Sequence, residues 1–321
     1  MNRVSFDPMH GPFITVDCDY VQKEFAAAYI WVLPVDLGGV GIIETNTTHA
    51  IPHILQTLQR LGKTPLDVEW IAVTHVHLDH AGGAGALAQL CPQAQVLAHP
   101  RAARHLIDPT RIVASARQVY GEENFRKLYG HITPVPESQV KICQDSETME
   151  FHGRTVEFLH TRGHAKHHMC LWIPEEGAVF TGDSFGVSYP AINRGGHFTL
   201  PSTSPVDFEK DEALKTLDRI MALQPNTIWP THFGPIARAQ IEPAFKQLRE
   251  TLELSGRLAA STLSETEVLA ELKTLARQQL LKLGHSDVDE ALGILELDLR
   301  LNAQGLMAAR AKALAPQGVP S

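Results

Sequence analysis

Three imidazoles and one carboxylate stand within six residues in the stretch Thr74-His75-Val76-His77-Leu78-Asp79-His80. Polar side chains of this kind cost free energy when buried unless each is paired or bound to a metal, so packing alone does not explain such a run. His75 and His77 alternate, and on an extended exit from a strand both side chains point the same way and can share one ion. Asp79 and His80 follow as the chain turns into a helix and face a second position. Imidazole with a few carboxylates suits Zn²⁺, with iron or manganese as alternatives, and suits Ca²⁺ poorly. The cluster alone does not fill two such ions, so further ligands must come from elsewhere. Three residues stand in matching contexts, each just behind a short apolar strand: His164 in Thr-Arg-Gly-His, Asp183 in Thr-Gly-Asp, and His232 in Pro-Thr-His-Phe-Gly-Pro. Taken singly, each would default to a surface or packing role; their agreement in order and context reverses that reading. The remaining histidines, His167, His168 and His197 among them, keep the default, although His168 begins a strand and is placed to lie near the metals without binding them.

The elements that must position these residues follow from periodicity. Val68–Val73 reads as a buried strand and Ala81–Ala88 as the start of a helix, which sets the cluster on a strand-to-helix loop. The glycines of Ala81–Gly85 lack the lysine of a phosphate-binding loop and are expected to permit a tight turn. Upstream, strands are predicted at Phe13–Asp17, Ala28–Leu33 and Val40–Glu44, with a turn at Asp36–Gly39. A helix capped by Thr48 carries Ile51, Ile54, Leu55, Leu58 and Leu61 at helical spacing and stops at Gly62. Downstream, Ala94–Ala98 is a short strand, and Arg101–Tyr129 is a helical insertion broken at Asp108-Pro109 and Gly121, a candidate lid. Strands are read again at Val140–Cys143, Thr155–His160, His168–Ile173 and Ala178–Thr181, with a last one leading through Thr227–His232. Tyr189–Pro205 reads as an irregular loop, and Ser204-Pro205 opens a helix through Leu214, Leu217, Ile220 and Met221. From Pro235 onward the pattern is helical, with segments at 242–260, 264–283 and 286–315. A Ser264-Glu267 capping box opens the second, and Gly284 stands between the second and third.

Bulk properties narrow the function. The 321 residues suffice for a large domain with an appendage, 44% are hydrophobic, and no apolar run approaches the roughly 18 residues a membrane span requires. The amino terminus lacks the pattern of a signal peptide, so a cytoplasmic protein is expected. A formal net charge of −8 argues against a nucleic-acid partner. Cys18, Cys91, Cys143 and Cys170 have no C-x-x-C spacing and read as reduced core thiols.

The run His-x-His-x-Asp-His, followed by Gly163-His164, Gly182-Asp183 and His232, resembles the metallo-β-lactamase superfamily, particularly its glyoxalase II and lactonase branch, over roughly residues 13–236. The resemblance implies an α/β (α+β) fold, a four-layer αββα sandwich with metals at the sheet edge and a C-terminal helical extension. The catalytic domain would span 1–236, with the helical insertion at about 100–130, and a helical region 237–321 would form part of the pocket or a homodimer contact. The resemblance also implies that His75, His77 and His164 hold one divalent metal, that Asp79, His80 and His232 hold a second, and that Asp183 bridges them. Glu44 stands where the family usually has Asp. A water between two such ions, most simply Zn²⁺, would lose its proton near neutral pH and attack an ester, thioester or lactone, with Asp79 managing the proton. The substrate would be a small molecule, with no membrane partner. Lactonases of the family often carry a tyrosine soon after the bridging aspartate; the nearer position here is Gly186, and Tyr189 is expected as pocket wall. The alternative is an oxidation like that of persulfide dioxygenases, which keep a similar ligand set around a single iron; a nuclease is disfavoured by charge.

Overall fold

The structure is a computed structural model that describes residues 12–33, 38–203 and 207–314. Met1–Pro8, Asp36 and Leu37 of the predicted turn, the helix start at Ser204-Pro205 and the predicted helical residue Ala315 lie outside the described residues. The chain forms two compact units. One holds the described residues of Met1–His160, His167–Gly182 and Gln224–Arg238, the other those of Thr161–Lys166, Asp183–Leu223 and Ala239–Ser321.

In the first unit, β1 (Phe13–Asp17), β2 (Ala27–Val32) and β3 (Val40–Ile43) form an antiparallel meander. Beyond it β4 (Val68–Ala72), β5 (Gln95–Ala98) and β6 (Val140–Ile142) run parallel to β3. The crossovers between these parallel strands carry α1 (Ile51–Arg60), α2 (Leu78–Ala81), α3 (Ala84–Leu90), α4 (Pro100–Ile107), α5 (Thr110–Tyr120) and α6 (Glu122–Tyr129). A second sheet has the order β12-β11-β10-β9-β8-β7, built from β7 (Thr148–Phe151), β8 (Arg154–His160), β9 (Met169–Ile173), β10 (Ala178–Gly182), β11 (Thr227–Pro230) and β12 (Ile236–Ala237). The parallel strands of the first sheet all end at one edge, so Glu44, His75 and His99 leave from that edge. In the second sheet β8, β10 and β11 end together, because β8 and β10 are each antiparallel to β9 and β11 is parallel to β10. Met169 N–H donating to Thr74 C=O at 2.8 Å, and Ala27 N–H to Thr231 C=O at 2.8 Å, bring the two edges together.

The sheets pack face to face through aromatic side chains. Phe13, Tyr29, Trp31 and Trp70 of the first meet Phe151, Phe180 and Trp229 of the second, with Phe13 and Phe180 centroids 4.9 Å apart and Trp31 and Phe151 5.2 Å apart. Burying each such ring contributes roughly 2–3 kcal/mol. The other face of the first sheet is covered by α1, α3 and α4 through Ile54, Leu58, Leu87, Ala88, Ala102 and Leu106. The unit is therefore a mixed α/β sandwich of two sheets with helices outside. All four cysteines are buried and outside any disulfide, and burial pushes the thiols of Cys91 and Cys143 up to about 11 and about 12. Among the described residues no helix is long and apolar enough to cross a membrane.

The second unit contains α7 (Lys210–Ala222), α8 (Arg238–Ala259, whose first residue belongs to the first unit), α9 (Glu265–Lys282), α10 (Val288–Ile294) and α11 (Glu296–Leu314). Ser264 and Glu267 form the predicted capping box, and Gly284 has φ +74. Arg310 of α11 donates to the carbonyls of Leu258, Ala259 and Leu263, which ties α11 to the end of α8.

Several expectations are corrected. The third predicted tail helix is two, α10 and α11, divided at Leu295. β7 and β12 are strands that the sequence pattern does not announce; β7 turns into β8 through His152 and Gly153 at φ +48 and +79, a histidine where Asn or Asp is the usual signal. Thr47, not Thr48, caps the first helical turn, while Thr48 Oγ1 donates to Tyr129 C=O. Gly82 and Gly83 have ordinary helical φ, so their glycine character serves close approach rather than turning: a Cβ on Gly82 would lie 2.3 Å from Leu78 O, and one on Gly85 1.9 Å from Thr133 O.

Candidate metal centre

His77, at φ −60 and ψ 145, is extended and precedes α2, so the predicted alternation holds along the strand exit. Val76 and Leu78 turn into apolar clusters while His75 and His77 face each other, His75 Nε2 lying 2.9 Å from His77 Nδ1. His75 and His80 are fully buried, with ring centroids 4.0 Å apart. Asp79 Oδ2 lies 3.8 Å from His80 Nε2 and 3.5 Å from His232 Nε2, and the donor atoms of these three residues fall within 4.8 Å of one another. One unit thus gathers five of the seven predicted ligands from two distant stretches of chain.

The loop after β3 holds this arrangement. Glu44, buried and at φ +66, accepts Thr74 N–H on Oε1 at 2.8 Å and sets Oε2 3.0 Å from His80 Nδ1. Thr45 donates its N–H and its hydroxyl to His80 C=O, and Asn46 Nδ2 donates to Asp79 C=O at 2.7 Å. His232 donates Nδ1–H to Phe25 C=O at 2.7 Å, and the Tyr29 hydroxyl donates to Pro230 C=O. Thr74 Oγ1 lies 3.1 Å from His75 Nδ1. A partner at one ring nitrogen fixes the tautomer and orientation of the other, the usual preparation of a metal-binding imidazole. Gly182 lets the second sheet approach here, since a Cβ would stand 2.4 Å from Thr74 Oγ1.

In the second unit His164 and Asp183 are neighbours, with His164 Nε2 3.5 Å from Asp183 Oδ2 and both side chains buried. His164 donates Nδ1–H to Ser202 C=O at 2.9 Å. The segment carrying His164 is held by α7: Glu209 N–H donates to Gly163 C=O, Thr216 Oγ1 donates to Arg162 C=O, and Gly163 at φ +126 sits where a Cβ would meet Ala213 Cα at 2.4 Å. By chain connectivity Asp183 directly follows the last residue of β10, and His164 stands four residues beyond the end of β8.

Sequence reasoning leaves two histidines outside the chemistry that the fold sets beside it. His168 stacks on His75 at 4.9 Å, in keeping with its place at a strand start, and His167 stands 5.5 Å from His77. The helical insertion packs Phe125 and Tyr129 against Leu78, the neighbour of Asp79. Burial and the nearby Tyr20 and Asp79 hold the Tyr129 phenol far above its ordinary range. Tyr189, in the second unit, donates its hydroxyl to Asp298 at 3.1 Å, and a Cβ on Gly186 would lie 2.5 Å from Leu200 O.

The donor set fits divalent metal: imidazoles, those of His75, His80, His164 and His232 each with a hydroxyl, carboxylate or carbonyl at one ring nitrogen, and carboxylates that are buried or half-buried. Among the described residues, every group of donors close enough to share one ion is drawn from the predicted seven.

Comparison with known proteins shows the family. A family model described as the metallo-beta-lactamase superfamily matches residues 32–232. The chain is 26% identical over 191 residues to the metallo-beta-lactamase fold-containing protein ST1585 of Sulfurisphaera tokodaii, covering 58% of this chain and 69% of that protein. It is 25% identical over 212 residues to an atrochrysone carboxyl ACP thioesterase of Aspergillus fumigatus, covering 66% of this chain and 50% of that protein. It spans 40% of the lactamase-like protein aptB of Emericella nidulans, so much of these longer relatives has no counterpart in the match. The solved structure of the metallo-beta-lactamase family protein TTHA1429 from Thermus thermophilus superposes with a TM-score of 0.64 at 21% identity, covering 96% of each chain, a likeness of fold.

Proposed function

The chain belongs to the metallo-beta-lactamase superfamily, and from that premise we propose that this metal-dependent hydrolase is dinuclear and acts on thioesters and esters. The observation that carries the reading is the convergence of Asp79, His80 and His232 beside the His75–His77 pair, the rings of His75, His80 and His232 being set from behind by a threonine hydroxyl, a carboxylate and a carbonyl. The assignment implied by the resemblance places His75, His77 and His164 on one ion, Asp79, His80 and His232 on the other, and Asp183 between them. Two bound divalent ions supply an acidified water and a Lewis acid for the acyl oxygen.

The chain's own residues do the rest. Glu44 keeps the proton of His80 on Nδ1, so that Nε2 presents its lone pair. The Phe25 carbonyl does the same for His232 and the Ser202 carbonyl for His164. Asp79, a quarter exposed, is the carboxylate open to solvent and is placed to take the proton that water loses as it adds to the acyl carbon; the thiol or alcohol then leaves with a proton. A lactonase role is disfavoured by Gly186, which has no room for a tyrosine, and by Tyr189, whose hydroxyl is bonded to Asp298. Thioesters are favoured by the thioesterase named among the relatives.

The test is to measure bound metals, then to assay zinc-, manganese- and iron-loaded protein against esters, thioesters, lactones and a persulfide with oxygen monitoring. Metal-dependent thioester cleavage is expected. Oxygen uptake without hydrolysis would replace this reading with the dioxygenase one.

A further inference from the structure

The helical insertion is basic within an acidic protein. Residues 100–129 carry Arg101, Arg104, Arg111, Arg117, Arg126 and Lys127 against Asp108, Glu122 and Glu123, while the whole chain has a net charge of −8. Its acids are partly engaged: Glu122 pairs with Arg117 at 3.1 Å and Arg126 at 2.8 Å, and Asp108 accepts the N–H of Thr110 at 3.1 Å. Arg101, Arg104 and Arg111 are exposed, and among the described residues no ion pair engages them. Arg104 Nε lies 3.2 Å from His105 Nε2. The His105 ring is 6.4 Å from that of His167, which is 5.5 Å from His77. A row of imidazoles therefore leads from the candidate metal ligands to the Arg104 guanidinium, and the charge of Arg111 acts on the same His105 ring.

We propose that Arg104 and Arg111, with His105 beside them, form an anion subsite that recognises the phosphate of a phosphopantetheine thioester, and so set the leaving group this enzyme accepts. The proposal rests on the thioesterase reading for the identity of the ligand, not for the existence of the subsite. Guanidinium forks match phosphate bidentately, and clustered like charges that lack a counter-ion are relieved by a bound anion. His105 reports this crowding: burial, then the charges of Arg104 and Arg111, press its pKa below the ordinary value, with Asp108 opposing. The phosphate is carried either by a free coenzyme-A-type thiol or by a prosthetic arm on an acidic carrier protein, and the chemistry recognised is the same.

The test uses the metal-loaded full chain with Arg104→Ala, Arg111→Ala and their double variant, and Arg126→Ala as a control on the same insertion. Binding of S-ethyl-coenzyme A, an unreactive thioether, and of S-ethyl-pantetheine, which lacks phosphate, is measured by calorimetry at low and high salt. The double variant is expected to weaken S-ethyl-coenzyme A binding at least about tenfold and to leave S-ethyl-pantetheine unchanged. Arg126→Ala should change neither. In kinetics, KM for acetyl-coenzyme A or for an acetylated carrier protein rises in the double variant while kcat holds; whichever substrate shows the effect identifies the carrier. Equal losses for both thioethers, no loss for either, or a loss confined to a glutathione thioester would overturn the subsite. Arg-dependent binding without turnover of any thioester would refute the thioesterase reading and leave the subsite standing; turnover with no Arg dependence would do the reverse.

Discussion

Glu44→Gln removes a charge and keeps the side chain's length and shape, which makes it the sharpest probe of the metal centre. In the native protein one carboxylate oxygen accepts Thr74 N–H at 2.8 Å and the other faces His80 Nδ1 at 3.0 Å. An amide has one oxygen. The backbone N–H cannot change its nature, so the amide oxygen turns to Thr74 and the NH₂ faces His80. His80 Nδ1 must then accept, which moves its proton to Nε2, the nitrogen 3.8 Å from Asp79 Oδ2. A protonated Nε2 cannot ligate. Loss of an orienting partner of this kind costs about 10–100-fold in metal affinity, or about 1.4–2.7 kcal/mol. Competition calorimetry against a chelator should show one metal-binding step weakened by that factor and the His75–His77 step preserved, and ¹⁵N spectra of labelled histidine should show the tautomer of one ring inverted. Native affinity with an unchanged tautomer would refute the reasoning, as would equal weakening of both steps.

His197 is buried, and its pKa is pushed down to about 4 by burial. Its folded pKa lies below the unfolded value, so protonation favours the unfolded chain: stability is full above about pH 6.5 and falls by roughly 3 kcal/mol as pH drops toward 4. Denaturant melts of His197→Gln should show that acid limb flattened over this window; an unchanged slope would contradict it. Arg310→Met removes the guanidinium that serves the carbonyls of Leu258, Ala259 and Leu263, and thermal denaturation should show the helical tail less stable by about 2–4 kcal/mol. Gly186→Tyr, at φ +75 and facing Leu200 O, should cost about 2–4 kcal/mol in urea titrations and should confer no lactone hydrolysis.

The histidine cluster and the three outlying candidate residues stand out because their chemistry is written in residue type, and strand alternation tells which side chains pair. The insertion's breaks at Asp108-Pro109 and Gly121 are legible for the same reason: proline and glycine act locally. What orients the ligands is not legible. Glu44 meets His80 across 36 positions from a left-handed backbone conformation that no pattern in Val40–Glu44 announces. Main-chain carbonyls such as Phe25 and Ser202 carry no sequence signal at all. Gly85 reads as a turn residue because sequence shows the missing Cβ but not the Thr133 carbonyl it makes room for.

The seam that fixes His232 has a consequence in time. Its imidazole is held by Phe25, 207 positions earlier, and Pro230 by Tyr29, 201 positions earlier. At ribosomal speed those partners emerge about 10–40 s apart. From the emergence of His80 until that of His232 the nascent chain displays His75, His77, Asp79 and His80 without the late imidazole that completes the group of Asp79, His80 and His232. On the dinuclear reading, an ion shared by Asp79, His80 and His232 is locked in only once the late strand has closed on the early one, so its retention is expected to mark a unit whose synthesis and folding have both run to completion.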